Sequence, residues 1–96
     1  MYTAIQARNI ANEKYNHDYY RLYRIYCRDI MGGITRAAKR GELHYDYCAG
    51  NRRMVRDVLH QIAQELGQLG YKAGVRQEQS EDGKHRYAVI DVSWGG

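Results

Sequence analysis

The stretch NRRMVRDVLHQIAQELGQLGY, residues 51–71, decides the fold of this protein. Asn51 is a favourable N-cap, and Gly70 is favourable just past a helix C-terminus. Between them, apolar residues recur at the three- and four-residue spacing of one helix face, namely Val55, Val58, Leu59, Ile62, Leu66 and Leu69. The pattern predicts an amphipathic helix whose apolar face packs against other elements of the fold.

A longer helix is predicted before this stretch. Thr3 and Gln6 have the spacing of a capping box, which opens a helix at about residue 4. Helical periodicity then persists to residue 40, and Gly41 is suited to end it. Such a helix would be roughly 55 Å long if straight, which is long for a domain of this size. We therefore expect either a bend or break at Gly32-Gly33, or an N-terminal part that projects and packs against another subunit.

Three strands complete the predicted fold. Residues 43–47 alternate between polar and apolar, with Leu43, Tyr45 and Tyr47 expected to face inward, and a turn is expected at 49–51. Two further strands are expected on either side of the turn-forming Ser-Glu-Asp-Gly segment at 80–83.

The predicted fold class is α+β with the order αβαββ. A long N-terminal helix and a second amphipathic helix pack on a small, three-stranded, largely antiparallel sheet. We expect one domain over residues 1–96, with a protruding or oligomerising helix at 1–31 and a compact core at 32–96.

The composition points to a thin core. Leu, Ile, Val and Phe together account for 17 of the 96 residues, below the roughly 20% at which folding from aliphatic burial becomes doubtful. Ten tyrosines and Trp94 compensate with large, partly apolar rings, and the formal net charge is only +4. Thin cores often depend on a partner subunit, so we expect a homo-oligomer.

The same sequence indicates a cytoplasmic location without a membrane partner. It has no apolar run approaching the ~18 residues of a membrane span, and its first residues lack the layout of a signal peptide. Cys27 and Cys48 have no short-spaced partner, which is typical of reduced thiols, although a disulfide between them is an alternative.

The first helix has two different faces. An apolar face is predicted to form a packing seam, within the chain or between subunits, and comprises Tyr15, Tyr19, Leu22, Tyr26 and Ile30. The opposite face is basic and could track the phosphates of a nucleic acid or bind a second anion; it comprises Lys14, His17, Arg21, Arg24 and Arg28. A solvated face that keeps the helix soluble is the alternative for these charges.

A second cationic cluster opens the helix of residues 51–71. Arginines in a first helical turn are locally unfavourable, because the helix N-terminus already carries partial positive charge. A bound phosphate would reverse this penalty through backbone N–H groups and guanidinium donors. The predicted anion-binding residues are Asn51, Arg52, Arg53 and Arg56, the alternative being arginines that face solvent or pair with Asp46 or Asp57.

Catalytic and metal chemistry are not expected. His44, Asp46 and Cys48 share one side of a strand, but His44 and Cys48 are roughly 13 Å apart by strand rise, too far to bind one ion. Neighbouring carboxylates occur only at Glu81-Asp82, in a turn. We therefore predict no enzyme activity, no cofactor, no metal and no catalytic residue.

Three short segments resemble small, uncharacterised accessory proteins of tailed phages. These are Ile34-x-x-Ala37-Ala38-x-x-Gly41, Leu66-x-x-Leu69-Gly70-Tyr71 and Ile90-Asp91-Val92-Ser93-Trp94. The resemblance covers about residues 30–94 and excludes most of the first helix. It implies a non-enzymatic, often oligomeric protein of the host bacterial cytoplasm that counters host defence, in some cases by sequestering a nucleotide signal. It assigns no functional residue.

Three functions follow as hypotheses. The first is a phage-type protein that sequesters a phosphate-bearing small molecule or an acidic host protein. The second is a nucleic-acid-binding module that uses the basic face of the first helix. The third is a virion or scaffold component in which the first helix serves assembly.

Overall fold

Two helices and three strands follow one another in the predicted order αβαββ. The computed structural model describes residues 3–95. The elements are α1 (Ala4–Lys39), β1 (His44–Gly50), α2 (Arg53–Gln68), β2 (Lys72–Gln79) and β3 (Arg86–Ser93). The α+β class and the two-helix, three-strand arrangement are confirmed.

The three strands form one antiparallel sheet in the order β1-β3-β2, so β3 is central and the other two are edges. Ala88, Ile90 and Val92 of β3 are fully buried and face the helices. The core joins them to the apolar face of α2 and to Ile30 and Ile34 of α1. The helices cover one face of the sheet, and the other face carries mostly charged and polar side chains.

Helix α1 is uninterrupted over 36 residues, so of the two alternatives predicted for it, a break at Gly32-Gly33 does not occur. Thr3 and Gln6 form the capping box as predicted. At about 1.5 Å per residue the helix is about 54 Å long, close to the longest dimension of the molecule, 59 Å. Gly33 serves packing instead, because it lies directly against the ring of Tyr45, where a side chain would not fit.

The tyrosine seam of α1 packs mainly against α2 of the same chain. The Tyr15 hydroxyl donates to Asp57 at 3.3 Å, and the Tyr19 and Tyr23 hydroxyls donate to Gln61 and Glu65. Each step advances four residues on both helices. Further along the seam, Tyr26 packs edge-to-face on Tyr47 and Ile30 is fully buried, so these positions are occupied within the chain.

The N-terminal part of α1 extends away from the body. Every residue from Ala4 to His17 is exposed. The radius of gyration is 16.3 Å, above the ~13 Å expected for a compact chain of this length. We call residues 4–14 the N-terminal arm.

Three local predictions are wrong. The N-cap of α2 is Arg52 and not Asn51. Residues 49 and 50 continue β1, because they pair with Ala88 and Tyr87 of the central strand, and the expected turn is correspondingly shorter. Leu43 and Leu69, expected on apolar faces, are 60% and 71% exposed since both lie just outside their elements.

Two further observations concern the chain as a whole. Cys27 and Cys48 are both free thiols. Within residues 3–95, no helix combines the length and the apolar character that crossing a bilayer requires.

Candidate anion-binding site

The start of α2 is an uncompensated positive helix end. Its N-cap, Arg52, makes no side-chain capping bond, and its first turn contains no acidic residue. The N–H groups of a first turn have no partner within the helix. Backbone donors and helix dipole therefore favour an anion at this position.

A pocket of about 350 Å³ lies beside this helix start, between α2 and the edge strand β2. Each lining residue from α2 is three or four positions from another, so they lie on one face of the helix. Strand β2 supplies the opposite wall. The lining residues are Arg53, Arg56, Asp57 and His60 from α2, and Val75, Arg76 and Gln77 from β2.

Arg56 provides the most specific feature of the pocket. Its Nε atom is shielded from solvent and has no hydrogen-bond partner among residues 3–95. A shielded N–H donor without a partner costs roughly 1–3 kcal/mol, more for a charged group. An anion in the pocket would give the Arg56 guanidinium a charged partner.

The charges of Arg53 and Asp57, which also line the α2 side of the pocket, neutralise each other only weakly. Arg53 Nε lies 4.0 Å from Asp57, and the Arg53 side chain is 89% exposed. An exposed pair at this distance is weak. The α2 wall therefore keeps a cationic excess from Arg53 and Arg56, with His60 one turn further along.

Arg76 contributes little charge to this pocket. Along β2, Val75 and Gln77 alternate with Arg76, which belongs to the opposite face of the sheet. There its guanidinium is paired with Asp91 at 2.6 Å and with Glu78. Anion binding would thus rest on the arginines of α2.

The four residues predicted to bind an anion do not line one common pocket. Arg53 and Arg56 share the pocket, whereas Arg52 lines a separate cavity of about 490 Å³ together with Leu22 and Tyr26 of α1. Asn51 lines neither cavity, and its shielded Oδ1 atom lacks a hydrogen-bond partner within residues 3–95.

His60 is a pocket residue that the sequence reasoning missed. It lies four residues after Arg56 and seven after Arg53, which places the three on one face of α2. The signal was present in this spacing. The prediction covers only the first turn of the helix, and His60 lies one turn beyond it.

The predicted basic face of α1 is exposed along its length. Arg21, Arg24 and Arg28 line a shallow groove of about 410 Å³ together with Ile25. Lys14 and His17 continue this face toward the N-terminal arm and are also exposed. Arg28 lies 3.6 Å from Asp29, a contact between largely exposed groups that neutralises it weakly.

Comparison with known proteins adds no relative. No family model, curated protein or solved structure matches the chain.

Proposed function

We propose that the protein is a non-catalytic binding protein that sequesters a phosphate-bearing small molecule in the pocket between α2 and β2. The observation that carries the proposal is the convergence of Arg53, Arg56 and His60 on one pocket, with the shielded and unpartnered Nε of Arg56 among them. The role that fits the sequence resemblance is a phage accessory protein that removes a nucleotide signal from a host defence system.

Phosphate suits the pocket for two reasons. Guanidinium groups form short, charge-assisted bonds with phosphate oxygens, often two at a time. The uncapped start of α2 adds backbone donors and a favourable dipole close to Arg53. A neutral ligand would use neither contribution.

The Arg52 cavity offers room for the remainder of such a ligand. Leu22, Tyr26, Met54 and Val55 make its walls largely apolar or aromatic, and the charges of Arg52 and Asp18 balance each other there. An aromatic base packs favourably on a surface of this kind. Both cavities border the first turn of α2, which is why a nucleotide is preferred to inorganic phosphate.

The test is calorimetric titration of the purified protein with ATP, AMP and inorganic phosphate. The variant Arg53→Glu with Arg56→Glu should lose at least tenfold in affinity, since a charge-assisted bond contributes about 1.5–3 kcal/mol. The control is Arg8→Glu with Arg86→Glu, which changes the net charge equally at exposed positions outside the pocket. Equal weakening in both variants would reduce the effect to net charge and contradict the proposal.

A ligand carried through purification gives a second readout. Acid or heat release followed by absorbance at 260 nm should reveal a bound nucleotide in the wild-type protein. The same procedure on the Arg53→Glu, Arg56→Glu variant should yield much less.

A nucleic-acid interface on α1 is the second candidate. It is favoured by the groove of Arg21, Arg24 and Arg28, which places three guanidinium groups along one exposed helix face. Such a face would contact successive phosphates, with an affinity that falls steeply with salt.

Gel shifts across a salt series separate the two candidates. If α1 binds nucleic acid, the Arg21→Glu, Arg24→Glu variant should no longer bind duplex or single-stranded DNA. The Arg53→Glu, Arg56→Glu variant should still bind it. No shift at low salt would exclude the α1 interface and leave the pocket proposal unaffected.

A further inference from the structure

A second cluster of chemically active side chains lies on the face of the sheet that the helices leave open. Asp46 of β1 and Asp91 of β3 are direct register partners, so their side chains project from neighbouring strands on the same face. His44 stands two residues before Asp46 and therefore shares that face. One donor atom from each of these three residues lies within 4.8 Å of the others.

The pairing of two aspartates is unfavourable by itself. Like charges directly opposite each other destabilise a strand pair. The surrounding groups relieve this only in part, because Arg76 is the single cation paired with the cluster in the described part of the chain, and it also pairs with Glu78. Three carboxylates and one guanidinium leave an excess of two negative charges when His44 is neutral.

Lys72 belongs to the same face, opposite Ser93 in the register. It forms no ion pair within 4.0 Å in the part of the chain that the structure describes. With Lys72 counted, this face keeps an excess of one negative charge when His44 is neutral, which still favours a cation.

The donor geometry supports a metal ion more specifically. His44 Nε2 lies 2.8 Å from Asp46 Oδ1, the separation of an imidazole–carboxylate pair in which Nε2–H donates to the carboxylate. A metal ion at this position would replace the proton that the two atoms share. Donors around a tetrahedral zinc ion stand about 3.3 Å apart, so separations of up to 4.8 Å require only small side-chain rotations.

Arg76 is compatible with such an ion. Its Nε and Nη2 donate to the two oxygens of Asp91 at 2.6 and 3.1 Å. A carboxylate oxygen has a second lone pair, and carboxylates that bind metals are commonly held by hydrogen bonds from outside the coordination shell. Arg76 would orient Asp91 in this way.

We propose that His44, Asp46 and Asp91 form a binding site for a divalent transition-metal ion, with zinc the best match. One imidazole nitrogen and two carboxylate oxygens suit Zn²⁺ better than Mg²⁺, which prefers six oxygen ligands in an octahedron. Water would complete the coordination, because His44 is 64% exposed. The site lies on the sheet face opposite α2, and Arg76, which pairs with Asp91, also lines the edge of the proposed anion pocket.

The experiment is calorimetric titration of the full-length, reduced protein with Zn²⁺, and separately with Mg²⁺. We expect saturable 1:1 binding of zinc and no comparable binding of magnesium. His44→Ala should weaken zinc binding by about tenfold or more, because it removes the only nitrogen ligand. Asp46→Asn should weaken it similarly.

Two matched control variants accompany this experiment. His85→Ala removes an exposed histidine that lies between β2 and β3, outside both proposed sites, and Cys48→Ser removes the thiol on the same face of β1; both should bind zinc as the wild type does. Absence of saturable zinc binding would overturn the proposal. Loss of binding in Cys48→Ser with retention in His44→Ala would place the metal at the thiol and would equally overturn it. Circular dichroism of each variant verifies that the fold is retained.

Discussion

Gly32 and Gly33 are neighbours in α1, but their surroundings differ sharply. A Cβ atom on Gly33 would overlap the ring of Tyr45, whereas on Gly32 it would meet only the end of the flexible Arg36 side chain at 3.3 Å. The pair resembles a helix-breaking signal, yet one member is required for close packing and the other is not.

We expect opposite effects from alanine at these two positions. Gly32→Ala should stabilise the protein by up to about 1 kcal/mol, the helix-propensity difference between the residues. Gly33→Ala should destabilise it by roughly 1–3 kcal/mol, because overpacking of a buried contact outweighs that gain. Urea denaturation of both variants measures the difference. Equal stability would show that Tyr45 moves aside without cost.

The hydroxyls of Tyr19 and Tyr23 explain why these two positions of α1 carry tyrosine rather than phenylalanine. Tyr19 and Tyr23 bury much of their rings between the helices while their hydroxyls bond Gln61 and Glu65 on α2. Phenylalanine would supply the apolar surface and leave those polar groups of α2 without their partners.

At the level of elements, the α1–α2 contact depends on tyrosines that stay protonated. A hydrogen bond to Glu65 and burial raise the pKa of Tyr23, and burial together with the charge of Asp57 raises the pKa of Tyr19. On β1, burial and the nearby Asp29 carboxylate raise the pKa of Tyr47 to about 12. The folded state thus holds phenol protons that the unfolded chain releases near pH 10.

Stability should therefore fall at alkaline pH. The contribution of these tyrosines is complete below their unfolded pKa of about 10 and is lost as the pH rises through the folded values. Urea midpoints should be flat up to about pH 9 and then decrease toward pH 12. Tyr23→Phe, which carries no titrating phenol, should show a shallower decrease. An identical slope in wild type and variant would contradict this role of Tyr23.

The start of α2 lacks a stabilising cap. Arg52 stands at the N-cap with a suitable extended backbone, φ −75° and ψ 148°, but makes no capping bond. Serine at this position would accept a hydrogen bond from the first turn.

Arg52→Ser should stabilise the fold by about 0.5–2 kcal/mol. If the helix start binds a phosphate, the same substitution should lower affinity for ATP, because a cap occupies the backbone donors and one cation is lost. Thermal denaturation and calorimetric titration of the same variant test the two effects together. A stabilised variant with unchanged affinity would separate Arg52 and the first turn from the anion site.

At the scale of the whole molecule, the N-terminal arm stands apart because none of its residues belongs to the hydrophobic core. Its residues are exposed, including Ile5 at 68% and Ile10 at 46%. A free helical segment of this length is marginal in water. We propose that the arm contacts a second subunit, as in the homo-oligomer expected from the composition.

Deleting residues 3–12 should change the free energy of unfolding of the monomer unit by no more than about 0.5 kcal/mol, because the arm adds nothing to the core. Light scattering should give a multiple of the 11.2 kDa subunit mass for the full chain and a smaller assembly for the deletion variant. A monomeric full-length chain would exclude assembly through the arm, including the scaffold hypothesis.

Much of the fold follows from the sequence alone. The capping box at Thr3, the periodic apolar face of α2 and the terminal Gly70, whose φ is +97°, are local signals. Each acts within about one helical turn, so no knowledge of distant residues is needed to recognise it. The order αβαββ and the antiparallel sheet follow from these signals and from short connections.

Only the tertiary structure decided how the charged and aromatic residues combine. Asp46 and Asp91 are 45 positions apart and meet through strand register, and Arg56 meets β2 because α2 packs against this edge strand. The tyrosine seam likewise packs on α2 of its own chain, where the sequence left a second subunit equally open. Helix and strand patterns depend on neighbours along the chain, whereas both proposed sites depend on contacts between distant segments, which no local pattern encodes.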